Sequence, residues 1–159
     1  MSAILQRASD LRIRDAQVDD LAWLAEGALA MAWETERKRL DADTVRAGIA
    51  AGVADPAKAR YFVAERGGAR AGTLMLTAEW SDWRNGAWWW IQSVYVMPAH
   101  RRQGVYAALY RHVEALARET ADVVGLRLYV ERDNAAALRT YAALGMRDAG
   151  YRLYEAEFT

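Results

Sequence analysis

The segment Val94-Tyr95-Val96-Met97-Pro98-Ala99-His100-Arg101-Arg102-Gln103-Gly104-Val105 passes from a β-branched, apolar stretch through a basic turn into a helical pattern. Such a layout binds anions. The first N–H groups of a helix have no partner within it, and the macrodipole is positive there. A glycine at 104 lets phosphate oxygens approach the chain with no Cβ in the way. Arg101 and Arg102 can add charge-assisted contacts. An Arg-x-x-Gly tetrad taken alone is more often an ordinary loop with solvated arginines. A second block, Glu131-Arg132-Asp133-Asn134-Ala135-Ala136-Ala137-Leu138-Arg139-Thr140-Tyr141, follows a strand-like stretch and runs towards Leu144-Gly145. Asn134 opens a helix there.

Other elements must hold these two blocks. Leu11 to Arg14 alternates apolar and charged residues as a half-buried strand does, and Val18-Asp19-Asp20 carries an N-cap signal. From Leu21, the positions Leu24, Ala28 and Leu29 recur at helical spacing towards Met31 and Trp33, and the charged run Glu34 to Arg39 is helix end or loop. Asp41 or Asp43 caps a second helix with Val45, Ile49 and Val53 on one face, which Asp55-Pro56 ends. Tyr61 to Glu65 and Ala71 to Trp80 read as strands around a Gly67-Gly68 turn, and Asn85-Gly86 as the turn into a third, Ala87 to Val96. Gly104 to Thr120 is helical with Val105, Leu109, Val113 and Leu116 aligned; Gly125 to Val130 is a strand, and Asn134 to Leu144 a helix that Gly145 terminates. Met146 to Tyr151 and Leu153 to Phe158 finish the chain as strand material. This order predicts an α+β fold in which a mixed central β-sheet is flanked by about four helices.

Composition narrows the partners. A chain of 159 residues is the usual size for one domain, here taken as 1–159. Hydrophobic residues at 53%, charged residues at 26% and only two prolines make it globular. The 21 Lys and Arg balance the 21 Asp and Glu, so no strong field attracts a polyanion and no nucleic-acid partner is expected. The absence of cysteine excludes disulfides, thiolate zinc sites and an acyl-cysteine intermediate, and no metal site is expected. Met1 to Asp10 lacks an apolar h-region and no apolar run approaches the ~20 residues that cross a bilayer, so no membrane association and a cytoplasmic location are expected. Of the seven tryptophans, Trp80, Trp83, Trp88, Trp89 and Trp90 crowd one stretch. By alternation Trp88 to Trp90 occupy both sheet faces, which suits core packing or a homodimer.

Taken together, the two blocks resemble the GNAT N-acetyltransferase superfamily. The first is similar to its acetyl-CoA motif: Arg or Gln, two residues, Gly, one residue, then Gly or Ala. The second is similar to its later motif, in which Asn is followed three residues on by Ala and seven on by Tyr; here these are Asn134, Ala137 and Tyr141, with Met146 in place of a usual aromatic. The element order agrees from Leu11 to Phe158. One departure is Tyr106, which stands where the family has Gly or Ala and either crowds a pyrophosphate or points away from it with its N–H still available.

The resemblance implies a three-layer GNAT-like fold, acetyl-CoA as cosubstrate and an amine as acceptor. It implies that the backbone around Val94 and Val96 pairs with the pantetheine arm and thioester carbonyl, and that the loop and helix start Arg101, Arg102, Gln103, Gly104, Val105 and Tyr106 holds the pyrophosphate. Asn134 contacts the pantetheine region or orients its helix, and Tyr141 lies by the sulfur. The implied chemistry is direct attack of a neutral amine on the thioester, with the Val94 N–H as oxyanion donor and Tyr141 protonating the leaving thiolate. A core tyrosine flanked by Leu138 and Leu144 is the competing reading of Tyr141. For the base, Glu79 is expected to face Gln92 across the ladder, with Glu34 and Glu36 as alternatives, although such glutamates are more often solvated. Trp33, Trp80 and Trp83 are expected to line an aromatic acceptor pocket for a cationic amine. A CoA-thioester-binding sensor without turnover is the alternative to an enzyme.

Overall fold

The computed structural model describes residues 10–158. These fall into two compact units, one ending at Tyr129 and the other beginning at Val130.

The first unit is built on one five-stranded sheet, β1 (Leu11–Asp15), β2 (Arg60–Arg66), β3 (Ala69–Ser81), β4 (Gly86–Val96) and β5 (Val123–Leu128), with spatial order equal to chain order. The first four pair antiparallel, β2–β3 and β3–β4 through short turns, and β5 pairs parallel with β4. That parallel pair requires a crossover, supplied by the helix α3 (Val105–Glu119). Helices α1 (Leu21–Glu36) and α2 (Ala42–Ala54) lie between β1 and β2 in the chain. The sheet is therefore mixed, as the sequence predicts.

Alternation along β2 separates the two faces. Tyr61 packs with Leu24, Ala25 and Ile49 of α1 and α2, whereas Phe62 is fully buried and meets His112 of α3 edge-on, with ring centroids 5.2 Å apart. Helices cover both sides of the sheet. The α3 stripe Val105, Leu109, Val113 and Ala117 is buried, each large member contributing about 1.5–3 kcal/mol by its burial.

Caps fix the helix ends. Asp41 accepts the Thr44 N–H at 2.9 Å to start α2. The charged run after α1 divides: Glu36 ends the helix and Arg37 leaves it with φ 54°. At the entry to α1, Asp20 is 1% exposed and receives Arg14 at 2.7 and 2.9 Å, Arg70 at 2.7 Å and the Gln17 N–H at 2.8 Å. Hydrogen bonding to Arg14 holds its carboxyl well below the usual carboxylate range, against the opposing effect of burial. This clamp therefore stabilises the fold above the unfolded carboxylate's pKa and is lost as pH falls through the lower folded one.

The second unit contains one helix, α4 (Ala135–Ala143). The Met146 N–H bonds to the Tyr141 carbonyl and the Gly145 N–H to that of Ala142, both at 3.0 Å, with Gly145 at φ 91°. Those two bonds form a Schellman end, so the glycine stops the helix as expected. The segment 146–158 is not strand, which corrects the sequence expectation. Asp148 accepts the Gly150 N–H at 2.7 Å and Gly150 takes φ 78°, an Asx turn that breaks a ladder at its middle.

Candidate active site

Strand β4 changes character along its length. From Ala87 to Ile91 it is paired on both sides, with β3 and with β5, and the β5 pairing stops at Ile91↔Leu128. Beyond that point Gln92 to Val96 pairs with β3 alone among the described strands. The β3 register jumps from Met75↔Gln92 to Thr73↔Tyr95, so Ser93 and Val94 together oppose the single residue Leu74. Ser93 has φ 49°, a conformation that costs a non-glycine residue about 1 kcal/mol or more. A bulge of this kind re-aims backbone groups, and here it does so beside an open strand edge at Val94 and Val96.

The basic loop follows directly. The Met97 N–H bonds to the Ala71 carbonyl at 2.9 Å, and a 3₁₀ turn, Pro98–His100, leads to Arg101. Arg102 and Gly104 then take φ 60° and 80°, and the first bond within α3 is from the Ala108 N–H to the Gly104 carbonyl at 3.0 Å. Left-handed residues at a helix start turn successive N–H groups towards one concavity. Among the described residues, and leaving aside its chain neighbours, no atom lies within 4 Å of where a Cβ on Gly104 would sit, so the loop is open there. Gly72 brings the helix start close to the sheet: a Cβ on it would meet Val105 Cγ1 at 2.9 Å and the Tyr95 carbonyl oxygen at 3.0 Å.

The loop side chains divide their work differently from the sequence expectation. Gln103 is a staple: its Oε1 accepts Arg66 at 2.7 Å, its carbonyl accepts Arg66 at 3.1 Å, and its Nε2 donates to the Ala99 carbonyl at 3.1 Å. Arg66 was missed in the sequence because nothing local links β2 to this loop. Arg101, expected to face an anion, folds back instead. Its Nε donates to the Val96 carbonyl at 2.9 Å, its Nη2 to Glu34 at 2.7 Å, and its guanidinium lies 5.4 Å from the Tyr95 ring centroid. Arg102 is exposed. Val105 is buried against the sheet, and the Tyr106 ring leans along the helix towards Tyr110, centroids 6.4 Å apart, with its hydroxyl oxygen buried.

Glu34 joins Arg101 to Tyr95, whose hydroxyl donates to it at 2.9 Å. The Arg101 and Tyr95 hydrogen bonds hold its carboxyl below the usual range, while burial, then the Glu34 contact, pushes the Tyr95 phenol up. Glu34 stays ionised and Tyr95 neutral.

Glu79 requires a correction. Its register partner is Trp88, not Gln92, and its Oε1 receives Arg127 at 2.6 Å. Gln92 faces Met75 and donates to Thr77 at 2.6 Å. Val94 lies six positions beyond Trp88 along β4, about 20 Å of strand, beyond the reach of a glutamate.

A cavity of about 220 Å3 lies on the α1 and α2 face of the first unit and reaches the bulge. Its lining includes Leu24, Met31, Val45, Ile49, Tyr61 and Ser93. None of the tryptophans expected to shape an acceptor pocket takes part. Trp83 is 90% exposed and Trp80 64%, while Trp33 is capped by Arg37 and Arg39 at 5.4 and 5.1 Å. The neighbouring rings are structural: Trp88 lies beneath Arg127 at 4.0 Å, and Trp90 stacks on Tyr129 at 4.4 Å.

Within the second unit, Asn134 Oδ1 accepts the Ala137 N–H at 3.1 Å, so it caps and orients α4, one of the two roles expected of it. Tyr141 stands near the end of that helix, half-buried, and its carbonyl closes the helix end.

The site is thus an opened, bulged strand feeding a positive-φ loop at a helix start. Residues 17–146 match the acetyltransferase (GNAT) family, and the chain belongs to it. The fold recurs in a possible acetyltransferase from Clostridium difficile 630, 40% identical with TM-score 0.88 over 94% of this chain and 98% of that one. It recurs also in a transcriptional regulator from Bacillus halodurans C-125, 21% identical with TM-score 0.78 over 93% and 99%. A predicted acetyltransferase with acetyl-CoA from Clostridium acetobutylicum is 14% identical, with TM-score 0.72 over 92% and 96%. No curated protein matches the chain. No described helix is long and apolar enough to cross a membrane.

Proposed function

We propose that this acetyltransferase moves the acetyl group of acetyl-CoA onto a primary amine by direct attack within one ternary complex. The observation that carries the proposal is the half-open β4: its edge is left unpaired by β5 beyond Ile91 and its bulge precedes the α3 loop. The residues present suit acetyl-CoA. The strand edge that β5 leaves at Val94 and Val96, where Arg101 already holds the Val96 carbonyl, suits the amides of pantetheine, and the open side of Gly104 leaves room for phosphate oxygens. Backbone N–H groups from Arg102 to Tyr106 hold the pyrophosphate, Arg102 adds charge, and Arg101 and Gln103 keep the loop in shape.

The amine's free pair attacks the thioester carbonyl carbon, and the Val94 N–H receives the negative charge that grows on its oxygen. A primary amine has a pKa of ~10.4 and must lose a proton first. Glu34, depressed and already bound to Arg101, is a weak proton acceptor, so the proton leaves to water at the exposed Ser93. The C–S bond then breaks, and the thiolate takes a proton from Tyr141, whose support is its place in the motif. With no cysteine in the chain, no acyl-cysteine intermediate competes. The family match runs through both compact units, which supports treating them as one functional domain.

Thiol release from acetyl-CoA, followed with a panel of primary amines, tests the proposal. Release that depends on the amine and falls about 10²-fold or more in Tyr141→Phe is expected. Protection against heat by acetyl-CoA with no release for any amine identifies a sensor instead.

A further inference from the structure

The cavity under α1 and α2 differs from the rest of the candidate site in holding no charge. Among the described residues that line it, none is ionic at neutral pH. Its polar atoms are largely committed elsewhere: the Thr73 hydroxyl donates to the Phe62 carbonyl at 2.8 Å, and Tyr95 donates to Glu34. Burial raises the Tyr61 phenol, which therefore stays neutral. What remains is the aliphatic surface of Leu24, Met31, Val45 and Ile49 with the neutral hydroxyls of Tyr61 and Ser93. Ser93, the exposed bulge residue next to Val94, closes one side. A group lodged in the cavity thus lies beside the bulge that precedes Val94.

Size limits the group further. An apolar cavity of about 150 Å3 takes up benzene. At about 220 Å3 this one accommodates a ring and a short arm, or a branched alkyl group of similar bulk. A second ammonium there would lose its hydration without a partner. The geometry points to the acceptor's specificity site: we infer that this cavity takes the uncharged apolar substituent of a small monoamine, an arylalkyl or branched alkyl amine, in preference to diamines, polyamines and amino sugars. The inference rests on the transferase reading only for the amine's fate, since the cavity can be probed without chemistry.

Gly48 offers the probe. It lines the cavity within α2, and among the described residues a Cβ there meets nothing within 4 Å beyond its own helix turn. Gly48→Leu therefore occupies open space while replacing glycine by a strong helix former, and it should fold at least as well as the parent. Melting temperature checks this.

Calorimetry of 2-phenylethylamine against the protein without acetyl-CoA reads the cavity alone. Binding that weakens about tenfold or more in Gly48→Leu is expected, the scale of discrimination available to an apolar pocket. In thiol release, kcat/KM for 2-phenylethylamine should exceed that for spermidine by about tenfold or more. The phenylethylamine-to-ethylamine ratio should fall by a similar factor in Gly48→Leu, through KM. Binding that responds to Gly48→Leu, with no turnover of any amine, upholds the cavity and removes the transferase reading. Turnover in which spermidine equals 2-phenylethylamine, or a 2-phenylethylamine KM indifferent to Gly48→Leu, overturns the inference and leaves the transferase intact.

Discussion

The two halves of β4 are built from one strand and serve opposite ends. Gly86 to Ile91 is enclosed by β3 and β5, and its tryptophans are spent on packing: Trp88 over Gly125 and beneath Arg127, Trp90 on Tyr129. Gln92 to Val96 keeps one edge away from β5, bends at Ser93 and delivers the chain into the α3 loop. The first half is held by ladders on both edges; the second is left by β5 on one edge, where Arg101 takes the Val96 carbonyl. The bulge marks where one regime gives way to the other, and its positive φ is tolerated because the ladders on either side over-determine it.

The comparison breaks most sharply at Val94. Proline removes the N–H, and a bulge is a position where a strand accepts it. Val94→Pro should lower kcat by about 10²–10³-fold, the usual loss for one oxyanion donor, with a much smaller change in melting temperature. Turnover within threefold of the parent would remove Val94 from the mechanism. The converse substitution lies at the enclosed end. A Cβ on Gly86 would sit 2.6 Å from the Asp122 carbonyl oxygen and 2.6 Å from Val124 Cγ1. Gly86→Ala should therefore cost about 1–3 kcal/mol of stability, a drop of several degrees in Tm, and leave kcat unchanged. Were kcat to fall with Tm, the two halves would not be independent.

How much of this was legible in the residues follows the range of the interactions. Sheet class, helix caps and the α3 loop came from local patterns: Asp41, Asn134, Gly104 and Gly145 all act on their immediate neighbours. Glu79 was misjudged because register is a pairing property. The turn takes up four residues, 82 to 85, so Ser81 faces Gly86 and Glu79 faces Trp88, four residues short of the Gln92 that counting from a two-residue Asn85-Gly86 turn gives. Arg101 was assigned to a ligand because its type and place fit one, whereas Glu34, 67 residues away, claims it. The apolar cavity was equally hidden. Its walls come from three strands and two helices, and each wall residue reads as ordinary core until the space between them is seen.

Arg101 also supplies the smallest and most local test. Its guanidinium ties the Val96 carbonyl to Glu34, and it is the first cause of that carboxyl's depressed pKa, ahead of the Tyr95 hydroxyl. In the parent, Glu34 is ionised throughout the ordinary carboxylate range and accepts Tyr95; protonation severs that acceptance only at lower pH. Arg101→Gln removes the larger cause and leaves the lesser, so the Glu34 titration should move up towards the ordinary value without fully reaching it. The acid limb of any activity that needs the Glu34 and Tyr95 link should rise with it. Carboxyl chemical shifts followed by NMR through the acid range check this directly. If Arg101 only braces the open half of β4, KM for acetyl-CoA should rise by about two- to fivefold and kcat hold, as for the loss of one exposed charged contact. A loss of kcat equal to that of Val94→Pro would show instead that Arg101 acts on the reacting atoms, and that the working half of β4 extends into its loop.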